Sequence, residues 1–141
     1  MRLAAASLLL LAACASSSKE EGPPVSLELA LTTPSNVLYF PGPVNLQFAM
    51  TLTNPTDQPV TLRRLDLRTV GNYSVFLRAN GAPMHVEVKP HASATIAIAA
   101  WGASRGGMLA QDEPMQMQAT AYFDGPKGPF VKLLTTVLSP Q

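Results

Sequence analysis

Alternation of apolar and polar side chains with a period of two dominates the chain and predicts short β-strands. The clearest run covers residues 44–53, where five apolar side chains alternate with polar or small ones. This period is typical of a strand with one face in a core and the other in solvent. The same alternation predicts strands over residues 25–31, 92–101, 115–123 and 130–138.

A turn and then a break in phase follow the strongest alternation. Residues 54–59 (NPTDQP) are mostly turn formers and predict the reversal of an antiparallel pair. Beyond it, Leu65 and Leu67 are out of phase with the apolar positions that precede Arg63 and Arg64. One extra residue at the arginines, a β-bulge, would return both leucines to the core side. We interpret the two arginines as solvated side chains at a bulge rather than as a phosphate or lipid-headgroup site.

Two shorter apolar runs, 73–78 and 84–89, complete the predicted strands, and Asn80-Gly81 between them is typical of a hairpin turn. Seven or eight short strands, with no apolar period of a helix, predict an all-β fold. We expect an antiparallel, immunoglobulin-like (fibronectin III-like) two-sheet β-sandwich over residues 25–141. The paired cysteines of antibody domains are missing, so the expectation concerns architecture only.

The N-terminus carries a different pattern. Arg2 precedes an apolar run over residues 3–11, which is too short for the ~20 residues of a membrane-spanning helix. A basic residue, a short apolar run and small residues before a cleavage site are typical of a secretory signal. The sequence LAA before Cys14 resembles the lipobox of bacterial lipoproteins, which implies that Cys14 carries the lipid, such as palmitate. Cleavage without lipidation is the alternative.

This resemblance divides the chain and predicts its location. Residues 1–13 would be the signal peptide, 14–24 the lipidated cysteine with a polar, flexible tether, and 25–141 the sandwich. Two or more acyl chains would hold the protein durably at a membrane. Because alanine and not aspartate follows Cys14, the resemblance implies the periplasmic face of the outer membrane. Cys14 is also the only cysteine, so once it is lipidated no thiol remains for disulfide or metal chemistry.

Composition and charge narrow the function classes. The net charge is +1 and 13% of residues are charged, which argues against a nucleic-acid-binding surface. No serine lies in a nucleophile elbow, and Asp112 and Glu113 are neighbours in an expected loop rather than facing carboxylates. We therefore predict a protein without enzymatic activity and without a cofactor.

Copper delivery is the sharpest chemical alternative, because methionine and histidine are ligands that suit Cu(I). The six candidates are Met84, Met108, Met115, Met117, His85 and His91. Alternation, however, places Met84 inward and His85 outward, and Met115 with Met117 on the apolar face of their strand. The sequence favours core packing for these methionines over copper binding.

Two features near the end of the 92–101 strand are candidate contact residues. The glycine-rich segment 102–107 lacks the ending of a P-loop, and we interpret it as a mobile inter-strand loop. Its glycines and Arg105 make it the first candidate for a contact surface, since loops on a rigid scaffold often carry binding. We expect Trp101 at the rim of the core, with an exposed ligand-stacking role as the alternative.

The segments VNLQFAMTLTNP, TDQP and VTLRRLDLRTV together resemble the water-stress and hypersensitive-response (WHy) domain of group 2 late-embryogenesis-abundant proteins. HASATIAIAA, MQMQATAYF and PFVKLLTTV match later strands of that family more loosely. The resemblance implies a non-enzymatic sandwich linked to desiccation or stress tolerance, with no catalytic residues to transfer. We expect an envelope-protective lipoprotein; the alternative is a protein-binding module acting through an edge strand or loops, and copper delivery is less favoured.

Overall fold

The computed structural model describes residues 22–78 and 80–141, which form ten strands and contain no helix. In chain order the strands are β1 (Ser26–Leu31), β2 (Val37–Tyr39), β3 (Gly42–Asn54), β4 (Val60–Thr69), β5 (Val75–Phe76), β6 (Asn80–Val88), β7 (Ala92–Ser104), β8 (Gly107–Leu109), β9 (Met115–Gly125) and β10 (Gly128–Leu138). Cys14, the signal peptide and most of the tether lie outside the described residues. No described segment forms a helix that could span a membrane.

Two four-stranded antiparallel sheets face each other. The first sheet has the order β1-β3-β7-β5, and the second has the order β10-β9-β4-β6. The central pairs of the two sheets, β3 with β7 and β4 with β9, join strands that are not consecutive. The chain therefore crosses between the sheets as it does in immunoglobulin-like sandwiches. The predicted two-sheet fold is confirmed.

Alternation places the apolar side chains between the sheets. In β3, Leu46, Phe48 and Met50 are at most 1% exposed, and Met115 and Met117 of β9 are equally buried. Removing this apolar surface from water is the main force that holds the sheets together. Packing within the core, rather than exposure as ligands, is therefore confirmed for Met115 and Met117.

The break in phase in β4 is a β-bulge, as predicted. The register of β4 shifts between Leu62 and Arg64 against both neighbouring strands. Leu62 and Leu65 are both buried, whereas Arg63 and Arg64 are both exposed. The extra residue turns the second half of the strand back to the core.

The predicted hairpin at Asn80-Gly81 is wrong. Both residues begin β6 and pair with Leu67 and Asp66 of β4, while β5 belongs to the other sheet. The Thr69 hydroxyl donates to the carbonyl oxygen of Leu77 at 3.0 Å and accepts from its N–H at 3.1 Å. These bonds fix the segment that crosses from the first sheet to the second, so long-range pairing overrides the local turn preference of the dipeptide.

A buried asparagine joins the two sheets where β3 ends. Asn54 is fully buried, and its side-chain amide donates to the carbonyl oxygens of Gln58 at 2.8 Å and Val88 at 3.1 Å. Its Oδ1 accepts from the N–H and hydroxyl of Thr56, at 3.1 and 2.7 Å. One side chain therefore shapes the turn after β3 and links the first sheet to β6 of the second.

Two short strands that the sequence analysis missed extend the β3–β7 pair. Tyr39 pairs with Gly107 and Gly42 pairs with Ser104, which leaves two residues on each side between the ladders. The pairing thus continues from β2–β8 into β3–β7 without a change of register. We call this continuous pair, β2–β3 with β7–β8, the ribbon.

Candidate functional site

The two ends of the sandwich differ in what they carry. The chain enters at Pro23–Val25, beside the turn after β3, because Ser26 pairs with Thr53; we call this the near end. β7 starts at the near end and runs to the opposite, far end. At ~3.3 Å per residue, Trp101 lies roughly 30 Å along β7 from Ala92.

Mostly small, uncharged side chains cover the outer face of the β3–β7 pair in the first sheet. Cross-strand pairs on this face are Thr53–Ser93, Thr51–Thr95, Ala49–Ala97, Gln47–Ala99 and Asn45–Trp101. The hydroxyls of the first two pairs hydrogen-bond at 2.8 and 3.0 Å. We call these ten residues the platform. Because alanine, serine and threonine project little from the sheet, these ten positions form a flat surface without charge. Glu28 of β1, which is exposed and lies opposite Thr51, borders this surface.

Trp101 is the exception to this flatness. Its side chain is 66% exposed on the outward face, so the expected position at the rim of the core is wrong. Asn45 lies directly opposite, and the Gln47 side-chain amide donates to Asn45 Oδ1. No other hydrogen bond of these two amide side chains occurs among the described residues. The Asn45 amide N–H groups and the Gln47 carbonyl are therefore left for solvent or a ligand.

Two arginines meet one aromatic ring beside the far end of the platform. Phe76 of β5 pairs with Ala103, on the same outer face as Trp101. The guanidinium carbons of Arg105 and Arg78 lie 4.8 and 5.7 Å from the ring centroid of Phe76, within cation–π range. Within the described part of the chain, neither arginine has a carboxylate at salt-bridge distance. Phe76, Arg78 and Arg105 form what we call the arginine cluster.

The glycine-rich segment is mostly strand, which corrects the expected loop at 102–107. Gly102 lies within β7 and Gly107 begins β8, so only Arg105 and Gly106 connect them. A Cβ at Gly102 would lie 2.4 Å from the carbonyl oxygen of Phe76. Glycine is therefore required here for β5 to approach β7 and bring Phe76 to this face. Arg105 is exposed beside the platform, and its role in a contact surface stays a prediction.

The side of the ribbon that faces the core changes at the far end. Even-numbered side chains of β3 and β7, such as Val44 and Ser104, face the core, whereas in the extension the odd-numbered Leu109 is buried. Leu38 and Met108, which pair with each other, are 61% and 47% exposed. Gly106 and Gly107 at this point have φ angles of +91° and +133°, which side chains disfavour. The exchange of faces leaves apolar side chains in solvent, including Phe40 at 80% exposure.

The outer face of the second sheet carries charges that pair with one another. Arg63 Nε donates to Asp124 at 2.5 Å, and its Nη1 donates to His85 Nδ1 at 2.9 Å. Arg64 pairs with Asp66 at 2.7 Å, and this hydrogen bond raises the pKa of Arg64. Arg63 and Arg64 are therefore each neutralised by a carboxylate on this solvated face, while Arg68 hydrogen-bonds the neutral Gln118.

The residues considered for copper do not converge. Met84 is half-buried while His85 is exposed on the opposite face of β6, as the alternation predicted. His91 Nε2 lies 2.5 Å from Asp57 Oδ1 in the turns of the near end, and Met108 lies at the far end. In residues 22–78 and 80–141, no three histidine, cysteine, aspartate or glutamate side chains are grouped to hold a metal.

A cleft of about 790 Å³ lies at the near end. Glycine and proline line most of it, with Phe130 stacked on Phe123 at 5.0 Å between ring centroids. Lys127 is the only charged residue among its described lining residues. The cleft thus lacks the paired titratable groups of acid–base catalysis.

No family model and no curated protein matches the chain. Among solved structures, the X-ray structure of Northeast Structural Genomics Consortium target SoR45 is similar, with a TM-score of 0.52, 8% identity and coverage of 82% of this chain and 86% of that chain. A Bordetella pertussis protein described as ApaA gives a TM-score of 0.47 at 14% identity, covering 84% and 96%. A solution structure described as a late-embryogenesis-abundant protein gives 0.45 at 12%, covering 82% and 72%. At such identities, the first likeness shows the fold alone.

Proposed function

We propose that this protein is a lipid-tethered, non-catalytic contact module of the cell envelope. Cys14 would anchor it, and the platform with the arginine cluster would contact another envelope component. The observation that carries this proposal is the exposure of Trp101 roughly 30 Å from the near end. A tether of ten residues reaches at most ~35 Å. An anchored sandwich could therefore direct its far end away from its own membrane.

The residue types at this end support contact rather than catalysis. Exposed tryptophan, phenylalanine, methionine and arginine are enriched at binding surfaces and at the residues that dominate binding energy. The side chains that could act as acids and bases, such as Asp124 and His85, instead pair with Arg63 on the other sheet.

The anchoring is tested by replacing Cys14. We expect Cys14→Ser to move the full-length chain from the membrane fraction to the soluble fraction. Serine at this position cannot accept the thioether-linked lipid. If the Cys14→Ser chain stays in the membrane fraction after salt and carbonate washes, the anchoring proposal is wrong.

The contact function is tested with the soluble Cys14→Ser chain and envelope fragments. We expect the chain to sediment with the fragments, Trp101→Ala to abolish most of this retention, and Tyr122→Ala to leave it unchanged. Tyr122 is the matched control because it is an exposed aromatic residue on the outer face of the second sheet, at 37% exposure. Equal retention of the parent and the Trp101→Ala variant would contradict the proposal.

A second candidate is a protein contact by strand addition. β10 is an edge strand of the second sheet, and it exposes Val131, Leu133 and Val137 by 49–62% along one face. An edge strand with apolar side chains can receive a strand from another chain. In that case Leu133→Lys, and not Trp101→Ala, would abolish capture of a purified envelope partner.

The resemblance to the WHy domain supports a stress-protective role for the same module. The turn at Asn54-Pro55 carries the most specific part of that resemblance. Survival of desiccation by a deletion strain is the test, with complementation by the wild-type chain and by Trp101→Ala. Full rescue by Trp101→Ala would separate protection from the proposed contact, and unchanged survival of the deletion strain would contradict a protective role.

A further inference from the structure

The chemistry of the far end narrows the contacted component to one class of ligand. We propose that the platform and the arginine cluster bind a glycan chain that bears carboxylate groups, with Trp101 stacking on a sugar ring. This inference rests on the proposed contact function and adds the identity of the ligand class. In a cell envelope, peptidoglycan is a polymer of this chemistry.

The shape and polarity of the platform fit a sugar chain. A pyranose ring has an apolar face of C–H groups, which packs flat against an aromatic ring, and a rim of hydroxyls that need both donors and acceptors. Trp101 supplies the ring at 66% exposure. Asn45, opposite Trp101, and Gln47, two residues further along β3, supply planar amides with both functions. Ala97 and Ala99 continue the face beyond Trp101 without projecting side chains, so an extended polymer can lie along it.

The charge of the site indicates a ligand with carboxylates. Arg78 and Arg105 each lie against Phe76, and no described carboxylate neutralises either of them. Contact with the ring holds the guanidinium groups in place, which reduces the conformational entropy lost when they bind. Arg105 donates to Asn72 Oδ1, and its remaining N–H groups stay available. A guanidinium recognises a carboxylate through two parallel hydrogen bonds.

The same features argue against a protein or a lipid surface as the occupant. Tight protein contacts centre on pockets that receive large side chains, whereas the platform is flat and built from small residues. A lipid surface would be the protein's own membrane, and the far end is directed away from the near end, where the chain enters. On the platform, polar amides beside the Trp101 ring fit a hydroxyl-rich ligand better than acyl chains, whereas Phe40, Leu38 and Met108 are exposed beyond it on the β2–β8 side.

The test uses sedimentation of the Cys14→Ser full-length chain with purified peptidoglycan sacculi. The matched probe is the same material after its carboxylates have been converted to amides, which removes charge and leaves the glycan. We expect binding to native sacculi, and binding to amidated sacculi that is weaker by about tenfold or more. Trp101 is the only tryptophan, so its fluorescence should shift to shorter wavelength when soluble muropeptide fragments bind.

Variants locate the binding on this face. We expect Trp101→Ala to weaken binding to native sacculi by about tenfold or more. Arg78→Gln and Arg105→Gln should each reduce the preference for native over amidated sacculi. Arg68→Gln is the matched control, because Arg68 is an exposed arginine of the second sheet that hydrogen-bonds Gln118. Unchanged thermal unfolding of each variant shows that folding is intact.

The outcomes separate this inference from the contact function. No binding to sacculi, equal binding to both forms, or binding that Trp101→Ala leaves unchanged would each overturn the glycan inference. If envelope retention depends on Trp101 but is lost when the envelope is digested with protease, the partner is a protein, and the contact function survives without the glycan. If retention does not depend on Trp101 at all, both proposals fail.

Discussion

The outer faces of the two sheets follow the same alternation of side chains but present opposite chemistry. On the second sheet, Arg63 and Arg64 are matched by Asp124 and Asp66, so the charges satisfy one another. On the first sheet the ten platform residues carry no charge, with Glu28 of β1 at their border, and no described carboxylate pairs with the arginine cluster. A charged, paired exterior is ordinary for a soluble domain. The proposed contact at Trp101 therefore uses the face on which arginines lack a carboxylate partner.

The largest effect should come from loss of the Asn54 side chain, whose hydrogen bonds join the two sheets and so support both outer faces. We expect Asn54→Ala to destabilise the fold by about 3 kcal/mol, because the buried Val88 carbonyl and the partly buried Gln58 carbonyl lose their donor. Chemical denaturation followed by circular dichroism and by Trp101 fluorescence measures it. If only the fluorescence transition moved, Asn54 would support the first face alone.

A matched pair of glycines tests whether the first face depends on a tighter backbone approach. Gly102→Ala would press a Cβ against the Phe76 backbone and should cost roughly 1–3 kcal/mol. Gly81→Ala of the second sheet meets only the ends of the Asp66 and Arg64 side chains, which can move, so we expect less than about 0.5 kcal/mol. Thermal unfolding compares them; equal losses would contradict this difference between the faces.

The hydroxyl pairs of the platform should contribute modestly. Thr51→Val removes the 3.0 Å bond to Thr95 but keeps the shape and strand preference of the side chain. We expect a loss of about 0.5 kcal/mol that does not depend on salt. Urea denaturation at low and high salt is the measurement, and a salt-dependent loss would show that Glu28, opposite Thr51 on β1, acts on this pair.

The smallest effect should come from an ion pair of the second face. Asp124→Asn breaks the pair with Arg63, in which both side chains are about half exposed, so we expect at most about 0.5 kcal/mol. Unlike the threonine variant, this loss should shrink at high salt. Because Asp66 raises the pKa of Arg64, the neighbouring pair keeps its charge through alkaline pH. A loss above 1.5 kcal/mol would mean that the second face is more than a solvated surface.

The sequence predicted the fold in the segments where period-two alternation is the only strong local signal. Alternation in β3 located both the strand and its buried face, and the phase break at Arg63 located the bulge. The Asn80-Gly81 dipeptide misled because Thr69 holds Leu77 in a crossing segment that no local pattern encodes. The short β2 and β8 escaped because three residues show no period, and they exist only as continuations of longer strands.

The period-two alternation also indicated part of the candidate site, although the position of Trp101 was interpreted differently. The alternation within 92–101 puts Trp101 on the same face as Ala97 and Ala99, opposite Ile96 and Ile98, whereas its place at the end of an apolar strand suggested the rim of the core. The arginine cluster could not be predicted, since Arg78 and Arg105 come together only through the pairing of β5 with β7. The burial of Lys132 on the inward face of β10, outside this site, could not be predicted from the sequence composition either.

The unbroken register of the ribbon restricts how this protein can change in evolution. Phe40-Pro41 and Arg105-Gly106 are the two interruptions, and equal numbers of residues separate the ladders on each strand. An insertion in one segment alone would shift every partner beyond it by one position, and the side chains of β2 or β8 would then point to the opposite face. Related chains should therefore lengthen or shorten at these two places together, so that a paired change in length identifies homologues that keep the same tip.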